Sequence, residues 1–460
     1  MFSTATAAEH SARKRLISHV YSKSFIQSSS AAKAQAQEII YGRLIPTLRD
    51  ECGIDDVKGR EPHGVDVYSV FMAATMDFIT GYIFGLQHGS NFLRNKAFRD
   101  HFFELYKARN DYGIYDQELP QLTRWCRRVG IPLCPGWVDD ANKELGEWCL
   151  GLCAGIGKPS LSLGTSEKQT GSGGDEPVVW KSLIQGMERK EATNGKDSVL
   201  YPTALADVDL SVASEILDHV LAGQETAGLT LSYLSWRLSQ SLQLQAELRA
   251  ELLGLKPNMK LPPGGQLTGA PMPDPKQLDS LPLLHAVVME TLRLHAPIPG
   301  PQPRQSPHPA SQIGPYIIPG GVRVAAMAYE LHRDEAVFPD AERWDHTRWL
   351  PSEASEEQRK LRNRQLWAFS SGGRMCIGSN FAMHGKNATY LISSVCCDRI
   401  SVLTPESRNE AYDRGAVLQL YKPHRRRRGH GSAIGWIHGT AAEGEVVSEI
   451  RESCIEAEAD

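Results

Sequence analysis

Ten residues, Phe369-Ser-Ser-Gly372-Gly-Arg374-Met-Cys376-Ile-Gly378, carry the clearest chemistry in this chain. One thiol stands among glycines at 372, 373 and 378, with an arginine two residues before it. Glycine lets the backbone approach a bulky planar group and turn its N–H groups onto the sulfur. Those hydrogen bonds and the nearby positive charge favour the thiolate. A thiolate held this way is a good axial ligand for haem iron, where its electron donation favours O–O cleavage. The bland alternative is a buried structural cysteine in a glycine-rich turn. A CxG triplet alone would favour that reading; the full pattern speaks against it.

Two more groups stand out. Glu225 and Thr226 are adjacent in Ala222-Gly-Gln-Glu-Thr-Ala227, midway through an apolar helical stretch. Burying a carboxylate is costly unless it has partners. A mid-helix threonine can also bond back to the preceding turn and open the helix there. Helix distortion and function stay equally open on these residues alone. Glu290 and Arg293, at i and i+3 in Met-Glu-Thr-Leu-Arg, share one side of a helix. Taken alone, such a pair reads as an ordinary surface ion pair.

These groups need a scaffold. With 460 residues, 41% of them apolar, the chain is long enough for one large core and is not a disordered one. A net charge of -4 argues against nucleic acid as a partner. The nine cysteines, an odd number scattered along the chain, indicate a reducing compartment without a disulfide framework. No stretch reaches the roughly 20 apolar residues of a membrane helix. Val70 to Leu86, interrupted by Asp77, Thr80 and Gly81, is expected to be a buried helix. The N-terminus lacks the apolar core of a secretory signal.

Periodicity predicts helices over Ala31–Leu44, Val65–Gly85, Asn91–Tyr106 and Asp139–Leu152. Gly155 to Val178 reads as a solvated, mobile loop. A long helix is expected from Val208 to Leu253, apolar on nearly every face and therefore buried all round. Pro257 to Pro275 reads as a loop, and Leu281 to Leu294 as a helix ended by Pro297 and Pro299. Short strands such as Tyr316-Ile317-Ile318 follow. The basic run His424–Arg428 and the acidic stretch 429–460 read as a weakly ordered tail, leaving one domain over 1–428.

The cysteine segment resembles FxxGxRxCxG, the haem-binding loop of the cytochrome P450 family, at every fixed position. The resemblance implies a mainly α fold with small β-sheets around haem b. Cys376 would ligate the iron, Arg374 would contact a propionate, and Phe369 and Gly378 would complete the loop. Asn380 to Ile392 would lie behind the haem. Ala222–Ala227 resembles the oxygen-activation motif (A/G)GxxT, which gives Glu225 and Thr226 a part in proton delivery. Glu290 and Arg293 resemble ExxR, whose third partner would be Arg348; the usual PER reads His346-Thr347-Arg348 here. This triad is structural by resemblance. Arg304 takes a propionate-binding position, and Leu331-His332-Arg333-Asp334 adds order without chemistry.

Glu9 to Ser22 resembles the family's WxxxR helix, with His10 at the tryptophan position and Lys14 at the propionate ligand. Asp77 and Phe84-Gly85 resemble its D…FG helix. The resemblance runs from about residue 9 to 425 and begins roughly a hundred residues late, so the expected domain is N-terminally incomplete. It implies a monooxygenase inserting one atom of O2 into an apolar small molecule of fungal secondary metabolism. Electrons would come from NADPH through a separate reductase, because no flavin domain is present. Endoplasmic-reticulum membrane association would follow, although no anchor is visible. A truncated haem-binding pseudo-enzyme and an O2-independent isomerase or dehydratase are the alternatives.

Overall fold

A computed structural model describes residue 4 and residues 6–52, 66–110, 112–156, 173–257 and 271–385. The basic run and acidic tail at 424–460 lie outside the described residues, as do most of the two expected loops. The described residues divide into two compact units, those up to 280 with 380–385, and 281–379. The described part of the first is helical; the second joins helices to two small antiparallel sheets. A mainly α fold with small sheets is what the sequence predicts.

In the first unit, α1 (Ala7–Ile17) starts at Thr6, whose side chain accepts from the Glu9 N–H. Helix α2 (Val67–Phe84) starts at Asp66, which accepts from the Tyr68 and Ser69 N–H groups, and stops at Gly85 with φ 81°. It is long and apolar enough to cross a membrane, yet most of it is buried within the unit. It is a core helix, as expected. The unit's further helices include α3 (Lys96–Asn110), α4 (Pro120–Arg128), α5 (Gly136–Ile156), α6 (Val178–Asn194), α7 (Val208–Ser239) and α8 (Leu242–Leu253), of which α5, α6 and α7 pack on α2.

Three expectations need correction. The long helix breaks between α7 and α8, because the Ser241 side chain accepts from the Leu244 N–H at 3.2 Å and starts a new helix. Ala31–Leu44 is no single regular helix: Ser30–Gln37 widens into a π-helical Glu38–Leu44 before Ile45–Cys52 resumes. The expected loop after Gly155 is ordered at both ends. Helix α5 continues to Ile156, and Gly173–Asp175 forms a 3-10 turn whose Gly174 carbonyl accepts from Leu86 N and Gln35 Nε2.

Helix α7 rests on α2 through small residues. A β carbon at Gly223 would lie 2.6 Å from Ile79 Cγ1, and one at Gly228 2.4 Å from Met72 Sδ. Thr75 on α2 donates its hydroxyl to the Gln224 carbonyl at 2.8 Å. The rear of α7 is therefore buried. Its front is not: Ala222, Thr226, Leu229 and Tyr233, at i, i+4, i+7 and i+11, are only half-buried. The expectation of burial all round fails on this face.

Asp77 closes the bend after α2. Its carboxylate accepts from Ser90 Oγ and Phe92 N at 2.7 Å each and faces Arg43 at 3.3 Å. Burial pushes its pKa up, and those donors oppose the shift.

The second unit opens with α9 (Pro282–Leu294), whose leading proline suits a first helical turn. Strands β1 (Pro301–Gln305) and β4 (Arg323–Met327) pair antiparallel, with Arg304 opposite Val324. Strands β2 (Ala310–Ile313) and β3 (Tyr316–Pro319) form the other sheet, turning at Gly314 with φ 55°. Helix α10 (Glu356–Gln365) is closed by a Ser355–Gln358 capping box. The cysteine loop follows and runs into α11 (Ser379–His384).

Candidate functional site

In the second unit the cysteine loop is a tight backbone fold. Ser370 and Gly372 take φ 60° and 68°, and Gly372–Arg374 forms one 3-10 turn. The chain doubles back so that Cys376 N donates to the Phe369 carbonyl at 2.9 Å. Cys376 is exposed. A β carbon on Gly373 would meet nothing within 4 Å, and one on Gly378 only Cys376 Sγ at 3.8 Å. The reading of a buried structural cysteine therefore does not apply. The loop presents its thiol outward from an open glycine-lined surface.

Strand β1 holds this loop from the side. Arg304 donates to Ser370 Oγ at 2.8 Å and to the Ser371 carbonyl at 3.4 Å, while Gln302 Nε2 reaches the Trp367 carbonyl at 3.3 Å. Arg374 is half-buried within the loop itself. A thiol and two guanidinium groups on one loop and its flanking strand fit an iron porphyrin, which needs a soft axial ligand and cations for its propionates.

Beneath the loop lies a buried ionic lock. Glu290 and Arg293, both fully buried, pair through two bonds of 2.8 and 2.9 Å. Arg293 also donates to the His332 carbonyl at 2.7 Å and to the Arg343 carbonyl at 3.1 Å. Glu290 accepts from Asp345 N at 2.8 Å and Trp349 Nε1 at 2.9 Å, and Arg348 Nε stands 3.5 Å away. The structure thus brings Glu290, Arg293 and Arg348 together. His346 and Thr347, the two departures from PER, do not disturb it. Thr347 caps onto Asp345 through its N–H and hydroxyl, and His346 packs on Trp344 at 5.5 Å.

His332, which the sequence predicts to add only order, joins the lock to the loop. Its Nε2 accepts from Trp367 N at 2.8 Å, so Nδ1 carries the proton and donates it to the Arg293 carbonyl at 2.7 Å. Burial, aided by the Arg293 and Arg333 charges, pushes its pKa down to about 4 against the opposing Arg293 carbonyl bond. In the unfolded chain the ring takes a proton near 6.5. The unfolded state therefore binds the extra proton first, and stability falls as pH drops from about 6.5 to about 4. The full loss is about 3 kcal/mol. Urea midpoints of the wild type should drop between pH 7 and 5, and His332→Gln should flatten that dependence. A wild type with no slope in this window would refute the neutral, bridging ring.

In the first unit, Thr226 donates its hydroxyl to the Ala222 carbonyl at 2.8 Å, the back-bond anticipated from sequence, while α7 stays continuous. Glu225 has found a partner the sequence did not disclose: Tyr106 on α3 donates to Glu225 Oε2 at 2.7 Å. Tyr68 lies in the same field; burial first, then the Glu225 and Asp66 charges, push its phenol up to about 12. On α1, His10 is buried and Lys14 half-buried, one turn apart on one helix face.

The sequence comparisons agree with one another. The family model described as Cytochrome P450 matches residues 205–388. The chain is 35% identical over 189 residues to cytochrome P450 monooxygenase aflV of Aspergillus parasiticus, covering 41% of this chain and 34% of that protein. It is 27% identical over 400 residues to cytochrome P450 monooxygenase avaI of Aspergillus versicolor, 84% and 81% of the two chains. Over 382 residues it is 26% identical to cytochrome P450 monooxygenase pbrB of Penicillium brasilianum, 81% and 64%. The chain thus spans about a third of the first relative's length and less than two thirds of the third's.

Proposed function

We propose that this chain, a member of the cytochrome P450 family through residues 205–388, is a haem-thiolate monooxygenase. The observation that carries the reading is the exposed Cys376 thiol on its glycine-opened loop. Haem b, when bound, would supply O2 activation and transfer of one oxygen atom to an apolar small molecule. Cys376 would hold the iron as thiolate, with Phe369 and Gly378 shaping the loop around it. Arg304, Arg374 and Lys14, with His10 beside Lys14, would bind the propionates. Glu290, Arg293 and Arg348 would keep the loop in shape. Electrons would come from NADPH through a separate reductase. The named relatives are fungal enzymes, which supports a place in fungal secondary metabolism.

Glu225 and Thr226 would hold and pass protons on the half-buried face of α7. Tyr106 would then act by positioning the Glu225 carboxylate. Tyr106→Phe is expected to remove about 1.5 kcal/mol of unfolding free energy and to raise the NADPH consumed per product formed. Unchanged coupling in that variant would remove Tyr106 from the scheme.

Membrane association is supported by an exposed apolar surface on and after α4. Leu122, Trp125, Val129 and Ile131 are exposed there beside Arg124 and Arg128. Apolar side chains interleaved with bases favour an anionic lipid surface. In flotation with anionic vesicles, a Trp125→Ser, Ile131→Ser variant should float less than wild type. Equal flotation would count against this surface.

The deciding experiment is the carbon-monoxide difference spectrum of the dithionite-reduced chain. A strongly red-shifted Soret band supports a haem-thiolate enzyme. Absence of haem, or a band at shorter wavelength, overturns the reading for this chain.

A further inference from the structure

A recess of about 240 Å3 opens between α1 and α6, lined by Arg15, Leu16, Gly186, Arg189, Lys190 and Thr193. It contains none of the residues assigned above to haem or proton handling. Its construction is specific. Gly186, Arg189, Lys190 and Thr193 recur at i, i+3, i+4 and i+7 of α6 and so share one face. Glu188 and Glu191 fall on other faces of the same helix, away from the bases.

The floor is tightly set. A β carbon on Gly186 would lie 3.1 Å from the Leu16 backbone, and Ser182 Oγ donates to the Leu16 carbonyl at 3.2 Å. The two helices that carry the bases are therefore pinned together beneath them. Arg15, Arg189 and Lys190 have no hydrogen-bond or ion-pair partner among the described residues. Three cations gathered around one small recess repel each other unless an anion sits among them. Two guanidinium forks, an ammonium and the Thr193 hydroxyl match the donor demand of a phosphate group.

We propose that this recess is a binding site for a phosphate-bearing anion, separate from the candidate catalytic residues. The probe is inorganic pyrophosphate, titrated calorimetrically into the full chain at low ionic strength. Saturable binding is expected, weakening as salt rises. Arg189→Gln with Lys190→Gln should weaken it at least roughly tenfold. Lys143→Gln, which removes an exposed base on α5, should leave it unchanged. Because the substituted side chains line a recess at the surface, equal melting temperatures should accompany the loss.

No saturable binding by wild type, or equal loss in the Lys143→Gln control, overturns the proposal. A second arm separates the sources of phosphate. Cosedimentation with phosphatidic-acid vesicles that drops in the Arg189→Gln, Lys190→Gln variant assigns the site to a lipid headgroup. Cosedimentation equal in both proteins, with pyrophosphate binding lost only in the variant, assigns it to a soluble phosphate ester.

Discussion

Arg293→Ala should unfold the 281–379 unit or leave it barely stable. The guanidinium is fully buried and satisfies three acceptors at once: the Glu290 carboxylate and the carbonyls of His332 and Arg343. Alanine would leave Glu290 buried, its charge answered only by Trp349, the Asp345 N–H and a more distant Arg348. Removing one partner of a buried pair costs about 3–5 kcal/mol. That is a large part of the whole stability of a domain. The guanidinium also lies 5.2 Å above the Phe338 ring, and alanine has no cation to offer that face. Arg293→Lys keeps the charge but not the fork and should fall between wild type and alanine. Denaturant unfolding measures both variants. A loss under about 1 kcal/mol for alanine would mean that the lock does not hold this unit together.

Cys376→Ala should do the reverse, abolishing the spectral signature while sparing the fold. The thiol is exposed, and truncating an exposed side chain usually changes stability by no more than about 0.5 kcal/mol. The backbone bond that shapes the loop, from Cys376 N to the Phe369 carbonyl, does not need the side chain. The cofactor-free variant should therefore melt with wild type. Its reduced carbon-monoxide spectrum should lack the red-shifted band entirely, because alanine offers no sulfur. A red-shifted band in the variant would place the ligand elsewhere and overturn the role given to Cys376. A large drop in cofactor-free stability would show that the thiol holds the loop together.

The two variants divide what could be read from sequence. Cys376 and Arg374 announce themselves because their pattern lies within one ten-residue loop; the Glu290–Arg293 pair is equally local, but its spacing alone reads as a surface ion pair, whereas both residues are fully buried. Trp349 and His332 complete the same lock from 59 and 39 residues away. No spacing rule reaches that far. Tyr106 is harder still: it meets Glu225 across 119 residues, and only the cost of an unpartnered carboxylate hinted that some donor must be there.

The fold misreadings have local causes. Composition showed that the stretch from Val208 was apolar, but not that a serine at 241 would accept the Leu244 N–H and restart the helix. Hydropathy likewise could not reveal that the row at 222, 226, 229 and 233 is only half-buried while the side at 223 and 228 packs tightly on α2. The small residues at 223 and 228 carried that information, and their meaning emerges only opposite Ile79 and Met72.

That seam determines which changes α7 can absorb. Its rear admits no added methyl group, so variation at 223 or 228 would need matching reductions on α2 at 79 or 72. Its front is only half-buried at Ala222, Leu229 and Tyr233, on either side of Thr226. A library meant to alter what this helix meets has its freedom along that one row, and the helix axis would stay fixed while the row is rewritten.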